Sequence, residues 1–209
     1  MRDSLKDSKP TFDMSQLIEA ARQQASGHGE RPVDKWNPSF CGEMDMVIKS
    51  DGTWWHDGSM ITRQPLVKLF ASILRKDEDG VTYLVTPAEK IAIRVDKGHF
   101  LATELHVDYN EAEQQRLVFT TNLGEVIALG PDRPLRVLTD PETLEPTPLL
   151  SVRGRLEALL SRSVFYELLD YATERSTPDG QQLGVESSGE FYPLGPPNIH
   201  NDSSDEGDV

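Results

Sequence analysis

The sequence predicts an α+β protein made of two antiparallel-sheet-plus-helix units with loosely repeated hairpin and helix motifs. Three observations carry this expectation. Two Asp-Gly pairs, Asp51-Gly52 and Asp57-Gly58, bracket Trp54, Trp55 and His56, and Asp-Gly between β-favouring runs is a strong hairpin signal. Leu66, Leu69, Phe70, Ile73 and Leu74 then recur at helical spacing and form one apolar stripe. Residues 100–109, 115–121, 125–129 and 135–138 are short alternating stretches separated by turn residues, the pattern of an antiparallel meander.

Taken in order, 14–25 fits a helix with Leu17, Ile18 and Ala21 on one side, Asp13 as its N-cap and Gly27-His28-Gly29 as its stop. Residues 31–38 form an extended linker. Runs 44–49 and 53–56 pair through a type I′ turn at Asp51-Gly52, which needs positive φ at both central positions. A helix over 62–74 starts at Thr62 as N-cap, with Pro65 tolerated in its first turn. Runs 81–86 and 90–95 make the next antiparallel pair. Residues 140–148 hold three prolines and form a rigid connector. A long helix is expected from Ser151 to about Glu174, with an apolar set that rotates around its axis. Ser187-Ser188-Gly189 turns a last hairpin. The resulting organisation is an N-terminal helix and linker arm (1–35), a first α+β unit (36–98), a second unit of meander plus helix (99–196) and a disordered acidic tail (197–209).

Several stretches together resemble a bacterial family of unknown function, number 1285, found largely in proteobacteria. They are Cys41-Gly42-Glu43 with Asp45, Asp51-Gly52-Thr53-Trp54, residues 63–74, and Leu84-Val85-Thr86-Pro87 with Glu89. The likeness resumes at Val152-Arg153, Leu156-Glu157-Ala158, residues 162–168 and residues 187–195, and spans roughly 36–196. The chain departs from the family pattern at Asp96-Lys97-Gly98-His99-Phe100, where a proline is expected before the phenylalanine. The resemblance implies an α+β protein in two parts and no known activity, with ligand binding or signalling as the suggested role.

Composition narrows the classes further. The 209 residues carry a net charge of −14 and a single cysteine, Cys41. That charge argues against a nucleic-acid partner, which needs a basic footprint. One cysteine permits no intrachain disulfide and fits a reducing compartment. The first ten residues lack the apolar core of a secretory signal, and no apolar run approaches the ~20 residues of a membrane span. A cytoplasmic chain with no membrane partner is expected, with homo-oligomerisation left open.

Candidate chemistry is sparse. Glu104, His106 and Asp108 share a strand face, but a solvated face gives the same pattern, so no metal site is expected. Ser187 lacks the Gly-x-Ser-x-Gly elbow of a serine hydrolase. Cys41 sits beside Glu43 and Asp45, a poor setting for a reactive thiolate, and is expected to be a small buried residue. No phosphate loop, dinucleotide fingerprint or zinc spacing is present, and no cofactor is indicated. Arg153, Arg155 and Arg162 are placed on the long helix, with Arg153 and Glu157 as an i,i+4 pair, and form the best local anion site in an acidic chain.

The leading expectation is a non-enzymatic small-molecule-binding or regulatory module without catalytic residues. Its ligand would be small and anionic or aromatic. Trp54 would supply an apolar wall, His56 a titratable donor, and Arg153 and Arg162 charge-assisted hydrogen bonds, at the junction of the two units. Simple packing at a tight turn is the plainer account of the two tryptophans. The alternatives are an enzyme using His56 with Glu43 or Glu89, and a protein-interaction scaffold.

Overall fold

The computed structural model describes residues 14–23, 31–110, 112–178 and 180–196. The chain divides into two units, Met1–Lys49 with Thr53–Asp96, and Ser50–Gly52 with Lys97–Val209. The expected cap at Asp13, the stop at Gly27-His28-Gly29 and the tail 197–209 lie outside the described residues.

The first unit holds α1 (Met14–Gln23), a 3-10 turn (Val33–Lys35), β1 (Phe40–Ile48), β2 (Trp54–His56), β3 (Ser59–Met60), α2 (Gln64–Ala71), β4 (Leu74–Lys76), β5 (Thr82–Val85) and β6 (Lys90–Val95). The strands form one sheet in the order β3-β2-β1-β6-β5-β4. The central β1 and β6 run parallel, with Val47 opposite Arg94 and Ile48 opposite Val95. The sheet is therefore mixed, not purely antiparallel as expected. Short turns build each outer meander, and the long path through α2 allows first and last strands to meet in parallel.

Turn chemistry explains the local outline and corrects one expectation. Lys49 N donates to Thr53 O at 2.9 Å, closing a three-residue loop between β1 and β2. Gly52 has φ 79 and Asp51 is not in the left-handed region, so this is not a type I′ turn. In this unit, consecutive positive φ falls instead at Asp57 (46) and Gly58 (73), between β2 and β3, as type I′ geometry requires.

The predicted helical stripe folds as α2, but its start shifts. Arg63 takes the N-cap position without a side-chain cap, Pro65 lies in the first turn, and Thr62 is outside. Phe70, Ile73 and Leu74 are fully buried. The helix ends at Ala71 rather than Leu74, so Ile73 already lies outside it and Leu74 begins β4. The linker is not wholly extended: Val33–Lys35 coils into the 3-10 turn. Arg75 holds that segment through Nη1, which donates to the carbonyls of Val33 (2.9 Å) and Trp36 (2.6 Å).

The second unit holds β7 (Phe100–Tyr109), β8 (Gln115–Thr121), β9 (Val126–Ala128), β10 (Leu135–Thr139), β11 (Pro146–Arg153), β12 (Leu156–Leu160), α3 (Arg162–Leu169), β13 (Thr173–Thr177), β14 (Gly180–Ser187) and β15 (Glu190–Gly195). Its main sheet runs β10-β11-β12-β7-β8-β9, with β12 and β7 parallel. This is the strand path of the first sheet: two three-stranded meanders, joined where the first strand lies parallel to the last. Residues 129–134 must connect the two edge strands. A flat six-stranded sheet is about 24 Å wide, yet Gly130 and Arg133 fold this link into a tight bridge. The sheet must therefore curl so that its edges approach.

The long helix expected over 151–174 does not form. Residues 146–160 make an antiparallel hairpin instead, turning at Gly154 with φ 52. Leu156, Ala158 and Leu160 are buried, and Glu157 and Leu159 between them are not. The helix is short, and Ser161 caps it by accepting from Val164 N. The proline-rich connector 140–148 is also partly strand, because β11 begins at Pro146. The last hairpin forms as expected, with Ser188 (φ 54) and Gly189 (φ 82) at its turn. It joins β13 in a separate three-stranded antiparallel sheet.

Candidate functional site

A concavity of about 560 Å³ opens in the second unit, within the range of small-molecule pockets. Leu101 and Leu159 lie opposite each other across the parallel β7–β12 pair and form its floor. Phe165, Tyr166 and Leu169 project from α3 as one wall, and Pro146 and Pro148 of β11 form another. Helical spacing puts Phe165 and Leu169 on one face of α3, and both are mostly buried.

Charge gathers at the rim. Lys97 Nζ and Arg162 Nη2 each lie 3.9 Å from Glu145 Oε1. Arg162 is 85% exposed at its side chain and stands at the first position of α3, the positive end of the helix dipole. Asp51 and Ser50 also line the concavity. Glu145 ends a turn organised by Asp140. The Asp140 carboxylate accepts from Glu142 N (2.9 Å) and Thr143 N (2.8 Å), and Asp140 N donates to Glu145 O at 3.1 Å. Hydrogen bonds from the backbones of Thr143 and Glu142 hold the Asp140 carboxyl below its ordinary pKa.

The four residues singled out as ligand contacts fall in different settings. Trp54 is 1% exposed and stacks on Phe70 inside the first unit. His56, in the same strand, has Nδ1 3.1 Å from the Asp45 carbonyl and Nε2 3.3 Å from the Asp57 carboxylate. Arg153 lies at the β11–β12 turn of the second unit. It donates to Glu125 Oε1 at 2.7 Å and covers the Phe100 ring at 5.2 Å. Of the four, Arg162 alone lines the concavity.

Arg153 and Arg162 therefore share no helix, and the expected Arg153–Glu157 pair is replaced. Arg136 forks onto Glu157, with Nε–Oε1 at 2.6 Å and Nη2–Oε2 at 2.9 Å. Of the other candidates, Glu43 is exposed and Glu89 half-buried. Cys41 is half-buried rather than buried, and its thiol points to the Ser39 carbonyl at 3.3 Å. Ser187 is fully buried, donating to Leu129 O and accepting from Leu117 N. His99, 3% exposed, accepts at Nδ1 from Glu157 N. Among the described residues no group of three His, Cys, Asp or Glu is placed to hold a metal ion, and no helix is long and apolar enough to cross a membrane.

Sequence reasoning missed Lys97, Leu101, Glu145, Leu159 and Phe165 as a set. They come from four separate stretches that only the parallel strand pair and the short helix bring together. The one local signal was the run Asp140 to Pro146, whose Asp and prolines mark an ordered turn.

Two strand-meander units with short helices define a sheet-rich α+β protein. The chain belongs to the DUF1285 family. The N-terminal domain of that family, a domain of unknown function, matches residues 31–98, and its C-terminal domain matches 99–194. A solved DUF1285 family protein from Silicibacter pomeroyi DSS-3 is 43% identical. The match covers 86% of this chain and 94% of that one, with a TM-score of 0.75. A second, from Shewanella baltica OS155, is 23% identical over 61% of this chain and 91% of that one, with a TM-score of 0.47. No curated protein matches the chain.

Proposed function

We propose that this protein is a non-enzymatic small-molecule-binding module with a regulatory role in the cytoplasm, and that its ligand sits in the concavity of the second unit. The observation that carries this is the pairing of an apolar floor, Leu101 and Leu159, with two cations at one rim, Lys97 and Arg162. An apolar concavity with a few polar groups at its edge is the usual form of a ligand site.

A thermal-shift screen of small metabolites tests this. A ligand present at a hundred times its Kd adds about 2.7 kcal/mol to the stability of the native state. At least one compound should raise Tm, and Tyr166→Glu should abolish the rise while leaving the ligand-free Tm nearly unchanged, because Tyr166 is 61% exposed. If every stabilising compound acts equally on Tyr166→Glu, the ligand binds elsewhere and the proposal fails.

A further inference from the structure

We infer that the concavity takes an aliphatic monocarboxylate, and that Glu145 holds the carboxylate's place until the ligand arrives. This rests on the assignment of the concavity as a binding site. Lys97 and Arg162 converge on one oxygen of Glu145, each at 3.9 Å. Neither separation is a hydrogen bond, so charge alone holds the cluster. The three side chains are 41% (Lys97), 85% (Arg162) and 54% (Glu145) exposed, and ion pairs so exposed contribute little to stability. A carboxylate already stands between two cations that do not grip it.

A ligand carboxylate entering that position keeps the local charge balance and adds what Glu145 lacks. Its tail covers Leu101 and Leu159, and its head accepts true charge-assisted hydrogen bonds from Arg162 and Lys97. The positive end of the α3 dipole favours the same head group. Displacement asks little of the backbone. The Glu145 carbonyl is tied to Asp140 N, and Pro146 follows it, so the glutamate side chain needs only to rotate outward. Asp51 is the other carboxylate of the lining. It would favour a cationic head group, which makes charge sign the deciding observable.

The experiment measures binding of octanoate, octanamide and octylammonium to the full chain by titration calorimetry. These probes share an apolar tail and differ in head group. Octanoate should bind about tenfold or more tighter than octanamide, the scale of a charge-assisted hydrogen bond, and tighter than octylammonium. Glu145→Gln should tighten octanoate severalfold and leave octanamide unchanged. The double variant Lys97→Met with Arg162→Met should erase the preference for octanoate while keeping octanamide binding. Octanoate no tighter than octanamide, octylammonium as the best probe, or Glu145→Gln without gain each overturns the inference. If octanamide alone binds, and Tyr166→Glu removes it, the concavity remains a ligand site and only the carboxylate assignment falls. If none of the three probes binds, this inference falls, and the metabolite screen decides the binding site separately.

Discussion

Trp54 and Phe70 stack inside the first unit with ring centroids 6.3 Å apart and planes 20° from parallel. One ring comes from the strand beside an Asp-Gly turn and the other from the stripe of α2. Both are at most 1% exposed, so the pair fixes the helix on its sheet. Removing the Phe70 ring leaves a cavity that Trp54 cannot fill. Phe70→Ala should cost about 3–5 kcal/mol, read as a lower urea midpoint by tryptophan fluorescence. A loss under about 1 kcal/mol, typical of surface changes, would contradict this packing.

Ser187 carries a structural hydroxyl. It donates to Leu129 O at 2.8 Å and accepts from Leu117 N at 3.0 Å, joining the last hairpin to the curled sheet. Ser187→Ala strands a buried N–H and should cost about 1–3 kcal/mol by chemical denaturation. An unchanged midpoint would show that the two groups find other partners.

Asp77 gives the first unit an acid-sensitive joint. Burial pushes its carboxyl upward, but hydrogen bonds and charge from Arg75 and Lys90 outweigh this and hold the pKa below the ordinary value. Because the folded value is the lower one, the stabilisation is fully present above the unfolded pKa of about 3.9. It is lost as pH falls through the folded value. Asp77→Asn should therefore destabilise at neutral pH, and the gap from wild type should shrink below about pH 4. A gap that stays constant from pH 7 to pH 3 would show that the Asp77 charge is not its source.

Arg153, expected to give charge-assisted hydrogen bonds to a ligand, has a measurable structural load. Arg153, 18% exposed at its side chain, pairs with Glu125 and covers Phe100. Arg153→Ala should destabilise by about 1–3 kcal/mol through the stranded partner and lost packing, and should leave octanoate affinity within about twofold, since a twofold change is a few tenths of a kcal/mol. A large loss of affinity at normal stability would return Arg153 to the ligand site.

The local elements were largely legible, and the way they join was not. Asp57-Gly58, the α2 stripe and Ser187-Ser188-Gly189 each state their structure within a few residues. Residues 151–160 do not. Val152, Leu156, Leu159 and Leu160 fit a helical face, while Leu156, Ala158 and Leu160 fit a strand equally well. Gly154 was the deciding signal, because its left-handed φ turns the chain where a helix would continue. The parallel pairs β1–β6 and β7–β12 left no local trace, since pairing partners far apart in sequence share no periodicity. The candidate site inherits that difficulty: Arg162 was visible as one arginine among several, but Lys97, Glu145 and the leucine floor meet only after the strands pair.

The most direct test of the ligand site is amide chemical-shift mapping during an octanoate titration. Saturable changes should centre on Lys97, Leu101, Leu159, Ser161, Arg162 and Phe165, which line the concavity, with little change at Trp54 and Phe70 in the first unit. Saturable changes centred on Trp54, His56 and their neighbours, with the Leu101–Leu159 floor unmoved, would contradict the account.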